Sequence, residues 1–165
     1  MQGDQPIPPI GERDDDPGKR RPALRFALAA AWSSPASART RLRYWLEAHC
    51  WPADDMEALV FAVSVAVTNS VEHGYGVSAS GSAPQCGPVE VTVYLKGSAD
   101  GTRHAELAVR DFGVWRAPVP DPANRGYGLA VIRATAAAVE IQRLPDGTLI
   151  RITGRLVPAG PGRCA

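Results

Sequence analysis

Ala58-Leu59-Val60-Phe61-Ala62-Val63-Ser64-Val65-Ala66-Val67-Thr68-Asn69 is the stretch whose reading decides the fold. From Ala58 to Val67 it is apolar nearly all round, which marks a helix buried between other elements and not one lying on a surface. Pro52 interrupts the chain just before it. Asp54, followed three residues later by Glu57, gives a capping-box-like start. Polar residues then gather at Thr68, Asn69, Glu72 and His73, and Gly74 and Gly76 end the helix.

Upstream, Leu24, Phe26 and Leu28 alternate as a half-buried strand does, which sets a first strand near 23–31. Ser34-Pro35 resembles an N-cap with proline at the first helical position, and Leu42, Trp45, Leu46 and His49 make one face of the ensuing helix. Its arginines, Arg39, Arg41 and Arg43, read as a solvated face. Downstream, a loop rich in Ser, Gly and Pro (Val77 to Pro88) leads to an alternating strand, Val89 to Leu95. A Gly/Asp turn at 97–101 joins that strand, hairpin-fashion, to another near 104–110.

A Pro-rich connection from Trp115 to Asn124 reads as a lid, and Gly126-Tyr127-Gly128-Leu129 then opens a helix running to about Ala137. Val139-Glu140-Ile141 and Thr148 to Leu156 are two further strands about the turn Pro145-Asp146-Gly147. The order β-α-α-β-β-lid-α-β-β predicts an α+β protein. The expected architecture is a two-layer sandwich whose mixed, mostly antiparallel sheet is covered on one face by helices.

A chain of 165 residues that is 45% hydrophobic is sized for one compact domain with a continuous core. Residues 1–22 and 157–165 are rich in Pro, Gly and charge and lack hydrophobic periodicity. They are expected to form a disordered tail and a flexible C-terminus around a folded region at 23–156. Lys+Arg at 18 against Asp+Glu at 17 offers no basic footprint for nucleic acid and no bias toward a polyanionic partner. No stretch approaches the roughly 18 uninterrupted apolar residues of a membrane helix, and the N-terminus lacks a basic-then-apolar leader. A cytoplasmic protein is the expectation. Cys50, Cys86 and Cys164 form no C-x-x-C and are not spaced with the histidines as metal ligands, so reduced structural thiols are expected.

Taken alone, Asn69 reads as an amide that staples its own helix end, since short motifs match by chance. Order across the chain changes its weight: Asn69-Ser70-Val71-Glu72-His73-Gly74-Tyr75, then Asp111-Phe112-Gly113, then Arg125-Gly126-Tyr127-Gly128-Leu129, then Asp146-Gly147-Thr148. This set resembles the N, G1, G2 and threonine boxes of the ATPase fold shared by gyrase, histidine kinases and MutL. It is most similar to the short anti-sigma-factor serine kinases of the RsbW type, from about Leu24 to Leu156.

The resemblance implies a Bergerat-type ATP-binding fold and a role for each box. Asn69 would present its carbonyl oxygen to Mg²⁺, a hard cation that keeps waters and phosphate oxygens in the rest of its shell. Asp111 would accept a hydrogen bond from the adenine amino group, assisted by Thr148. Gly113 would leave room for the base. Gly126 and Gly128 would offer backbone N–H groups to phosphate at a helix N-terminus, with Arg125 adding a contact and His73 and Leu129 completing the nucleotide site. Gly126 and Gly128 also read as a plain tight turn, and Asp146-Gly147 is a hairpin turn whatever the function. The implied partners are ATP, a sigma factor and a small anti-anti-sigma protein. A homodimer is implied too.

Two rival readings fail. Asp111-Phe112-Gly113 matches the DFG of protein kinases, but no H-R-D loop or V-A-I-K lysine accompanies it. Nothing matches a Walker A loop. One departure from the RsbW type bears on chemistry: a glutamate acting as general base stands four residues before the N-box asparagine in those kinases, and here the position is Val65. Glu72, seven residues on, returns to nearly the same helical face about two turns away. General-base assistance is typically worth ~10² to 10⁴ in rate, whereas phosphoryl transfer draws most of its catalysis from positioning and metal electrostatics. Two functions therefore stand: an anti-sigma-factor serine kinase, and a pseudokinase that senses ATP and holds a partner without transferring phosphate. Trp115 stands where histidine kinases have a second glycine, which suggests a short, stiff lid.

Overall fold

The computed structural model describes residues 22–78, 86–115 and 127–160. The expected lid and the glycine-rich loop lie for the most part outside them, as do Arg125, Gly126 and the N-terminal tail. The elements run β1 (Pro22–Ala29), α1 (Ser34–Ala48), α2 (Ala53–Asn69), a π-helical turn (Ser70–Gly74), β2 (Pro88–Gly97), β3 (Thr102–Asp111), α3 (Tyr127–Thr135), β4 (Ala138–Leu144), β5 (Gly147–Thr153) and β6 (Val157–Pro158). The sheet order is β1-β2-β3-β5-β4, with β6 pairing β3 beyond the end of β5. Among the described residues every pairing is antiparallel, in keeping with the mostly antiparallel sheet expected.

Period-two alternation sorts the side chains. Phe26 and Leu28 face the same side as Val91 and Val89, their partners across the β1–β2 register, and all four are buried. Val109, Ile150 and Ile152 continue that apolar face across β3 and β5. α2 lies against it with Leu59, Val60, Ala62, Val63, Ala66 and Val67 buried, as its apolar run demands, and α1 packs on α2 through Leu42 and Leu46. Phe61 alone in the run is clearly exposed.

Three local expectations give way to tertiary contacts. Ser34 does not cap α1; its hydroxyl donates to the Ala29 carbonyl and ties the helix entry to the end of β1. Glu57 does not close a capping box on α2, because Arg43 of α1 stands within reach and takes its carboxylate as a charge-assisted pair. The α1 arginines are accordingly more than a solvated face: Arg39 donates to the Ser64 hydroxyl at 2.7 Å and Arg41 lies over the Phe26 ring. The thiols also differ from expectation. Cys86 is free and exposed, but Cys50 is disulfide-bonded and not a reduced thiol, and the absence of a C-x-x-C motif does not exclude such a bond. Val157, read from the sequence as the start of a loose end, is buried and pairs with Arg103.

Candidate functional site

α2 does not stop at Asn69 but widens into one π-helical turn, in which the Tyr75 N–H reaches the Ser70 carbonyl five residues back. Such turns are uncommon and cluster at functional sites. This one buries Ser70, Val71 and Gly74 beneath the end of β3. The Asn69 side-chain nitrogen is buried and has no partner. The ring of His73 leans on that of Trp115, centroids 5.5 Å apart, and its Nε2 is 3.9 Å from a Glu72 carboxylate oxygen. Glu72 lies within the π turn itself, with its carboxylate turned toward His73.

Asp111 ends β3 with no exposed surface. Its Oδ1 accepts from the backbone N–H groups of Gly113 and Thr148, each at 3.2 Å, the second across the β3–β5 register that sets Thr148 opposite Asp111. Its Oδ2 is buried and unpartnered, as are the hydroxyls of Ser70 and Thr148. Burial pushes the Asp111 carboxyl above the usual carboxylate range. The adjacent Ser70 hydroxyl, the two N–H groups and the Arg110 charge pull the other way and only partly offset it. Ser70 thus stands beside the carboxylate and favours its charge without forming a full hydrogen bond to it.

Three glycines let the segments close up on this carboxylate. A Cβ on Gly74 would meet the Asp111 carboxyl carbon at 2.8 Å, and one on Gly113 would meet the Gly74 carbonyl oxygen at 2.1 Å. Gly113 is therefore required by the backbone of the π-helical turn, where the sequence suggested the space of a ligand. Gly147, at φ +137°, passes so near the Asp111 carbonyl that a Cβ would lie 2.0 Å from its oxygen.

One turn before Asn69 on α2, a methyl of Val65 would be met at 2.7 Å by a Cβ on Gly128. Val65 is packed against the first turn of α3, and Leu129 is partly buried against the core. Asn69, His73, Asp111, Gly113 and Thr148 are brought to one end of the sheet by α2, β3 and β5. Gly128 and Leu129 sit on α3, which packs on α2.

Sequence reasoning passed over four residues. Ser70 and Gly74 lie within the quoted N-box, but only the π turn brings them under Asp111. Tyr75 is buried, and its hydroxyl donates to the Pro88 carbonyl at 2.6 Å and accepts from the Phe112 N–H at 3.0 Å. Arg110, on the opposite face of the sheet, donates to the Asp111 carbonyl at 2.9 Å and to Asp146 at 2.6 Å while lying over the Phe112 ring.

Residues 28–153 match the family model described as the histidine kinase-like ATPase domain. The chain belongs to that family. Membership in this family of ATPase domains makes ATP its ligand. Among solved structures, the chain is similar to that of the RsbU and RsbW domains of Rv1364c from Mycobacterium tuberculosis, with 26% identity and a TM-score of 0.51. The match covers 86% of this chain and 34% of that one, so the chain spans about a third of the length of the protein it resembles. A histidine kinase-like ATPase domain with an RsbW-containing neighbour agrees with the resemblance drawn from the four boxes. Among the described residues, no helix is long and apolar enough to cross a membrane.

Proposed function

We propose that this histidine kinase-like ATPase domain binds Mg·ATP with adenine at Asp111 and acts as an RsbW-type regulator, sequestering a sigma factor and answering to a small antagonist protein. The observation that carries the nucleotide site is the unpartnered Asp111 Oδ2. A buried acceptor without a donor is rare in a folded protein, and an exocyclic amino group supplies that donor. The unpartnered hydroxyls of Ser70 and Thr148 stand ready to join it or a bridging water. At Asn69, at the end of α2, the amide oxygen is the kind of ligand a hard cation takes while phosphate oxygens and water complete its shell, and the buried, unpartnered nitrogen of the same amide is left as a donor for a phosphate oxygen. Arg125, Gly126 and Gly128 are assigned to the phosphates. Calorimetric titration with Mg·ATP tests the site: Asp111→Ala should abolish binding, and unchanged affinity refutes it.

Once ATP is bound, the family's serine-kinase step is the first reading of its fate. A specific observation favours the second, a pseudokinase. Val65 stands at the general-base position of the N-box and is wedged against Gly128, and a valine side chain accepts no proton. Labelling of a candidate antagonist with Mg·[γ-³²P]ATP separates them. A pseudokinase leaves the antagonist unlabelled by wild type while Val65→Glu gains activity. Equal labelling by both proteins supports the kinase and rules out the pseudokinase.

A further inference from the structure

One peptide unit joins the residue that reads the base to the rest of the turn, and both of its polar groups are held by side chains. The Asp111 carbonyl accepts from Arg110 Nη1, and the Phe112 N–H donates to Tyr75 Oη. In a trans peptide these two groups point in opposite directions, so the plane is gripped from both sides. Tyr75 comes up from the end of α2, Arg110 from the opposite face of the sheet.

Each grip is itself anchored. The Tyr75 hydroxyl donates to the Pro88 carbonyl while it accepts from Phe112, so its one proton is committed and its rotor is fixed. Gly87 makes that approach feasible, since a Cβ there would meet the hydroxyl oxygen at 2.7 Å. Burial raises the Tyr75 pKa further above its ordinary value and keeps the phenol protonated. The Arg110 side chain is almost wholly buried. Its second nitrogen is tied to Asp146 and its plane rests on Phe112, 4.7 Å from the ring centroid. Asp146 therefore does more than form a hairpin turn: it locks the arm that holds Asp111.

We infer that Tyr75 and Arg110 are positioning residues that set the selectivity of this site for a 6-amino purine, by fixing the peptide plane from which the Asp111 carboxylate projects. The inference rests on the proposed reading of the Asp111 pocket. A freely turning peptide lets Oδ2 wander from the amino group, and selectivity for a single hydrogen bond is sensitive to such misplacement. Both side chains bond the backbone of this peptide and not the Asp111 carboxylate, so loss of either should leave the phosphate contacts intact and act on discrimination alone.

The test is the ratio of affinities for ATP and inosine triphosphate, which lacks the amino group, measured by calorimetry with Mg²⁺ on wild type, Tyr75→Phe and Arg110→Met, with thermal unfolding of each. Wild type should prefer ATP by about tenfold or more. Each variant should lose roughly three- to tenfold of that ratio, the worth of one well-placed hydrogen bond, with inosine triphosphate binding nearly unchanged. If Arg110→Met does not fold, Tyr75→Phe, which keeps the ring and drops only the hydroxyl, decides alone. A Tyr75→Phe protein that unfolds earlier yet keeps the wild-type ratio overturns the inference and leaves the pocket reading standing. A wild type that binds both nucleotides equally overturns the pocket reading and the inference with it.

Discussion

Asp111 stands in a buried site that disfavours its charge, and this fixes the sign of its effect on stability as pH changes. Its carboxyl in the folded protein sits above the unfolded value of ~3.9. Between the two values the native state binds more protons than the unfolded state, so stability falls as pH rises through that window. Asp111→Asn should remove this slope and unfold no earlier than wild type at neutral pH, as urea titrations at several pH values will reveal. The same substitution keeps an oxygen for the Gly113 and Thr148 N–H groups but turns a donor toward the adenine amino group, so affinity for ATP should drop at least about tenfold. A binding residue that destabilises its own fold separates the two effects cleanly. Gly113→Ala should do the reverse of Asp111→Asn and cost stability, about 1–3 kcal/mol by overpacking, because the Gly74 carbonyl at 2.1 Å leaves a methyl nowhere to go. Chemical denaturation of that variant checks the figure; an unchanged midpoint contradicts the packing.

At the scale of elements, α2 is the member on which the rest depends, with one side on the sheet, one on α1 and its end widened into the π turn beneath Asp111. Leu46 of α1 is fully buried. Leu46→Ala should cost about 2–5 kcal/mol, a large part of the ~5–15 kcal/mol that holds a domain together, and the midpoint in denaturant will register it. The strands were legible because apolar and polar residues alternate in Leu24 to Leu28 and Val89 to Leu95, and α2 because its run from Ala58 to Val67 is apolar nearly all round. The helix starts were misread at Ser34 and Glu57, where a neighbouring strand end and an arginine offered better partners than the local cap. The π turn carries no periodic signature of its own. Four glycine and asparagine boxes could be found in order, but that Gly113 packs on Gly74, or that Tyr75 and Arg110 share one peptide, depends on the distance between segments far apart in the chain.

Across the whole molecule, the proposed nucleotide site gathers α2, β3 and β5 at one end of the sheet, with α1 and α3 packed on α2. A ligand that bridges those elements binds the folded state alone. ATP at about a hundred times its dissociation constant should therefore stabilise the domain by ~2.7 kcal/mol, seen as a rise in unfolding temperature with Mg·ATP that Asp111→Ala lacks. Binding ATP and transferring its phosphate remain separable at this scale, because Asp111 and Val65 lie on different elements and face different neighbours: the carboxylate looks onto Ser70 and Thr148, the valine onto Gly128. The most direct measurement of the central claim is calorimetric titration of wild type, Asn69→Ala and Asp111→Ala with ATP, with and without Mg²⁺. Saturable one-site binding by wild type is predicted, with Asp111→Ala silent and Asn69→Ala weakened chiefly when Mg²⁺ is present. Wild-type heat that neither substitution alters would contradict it.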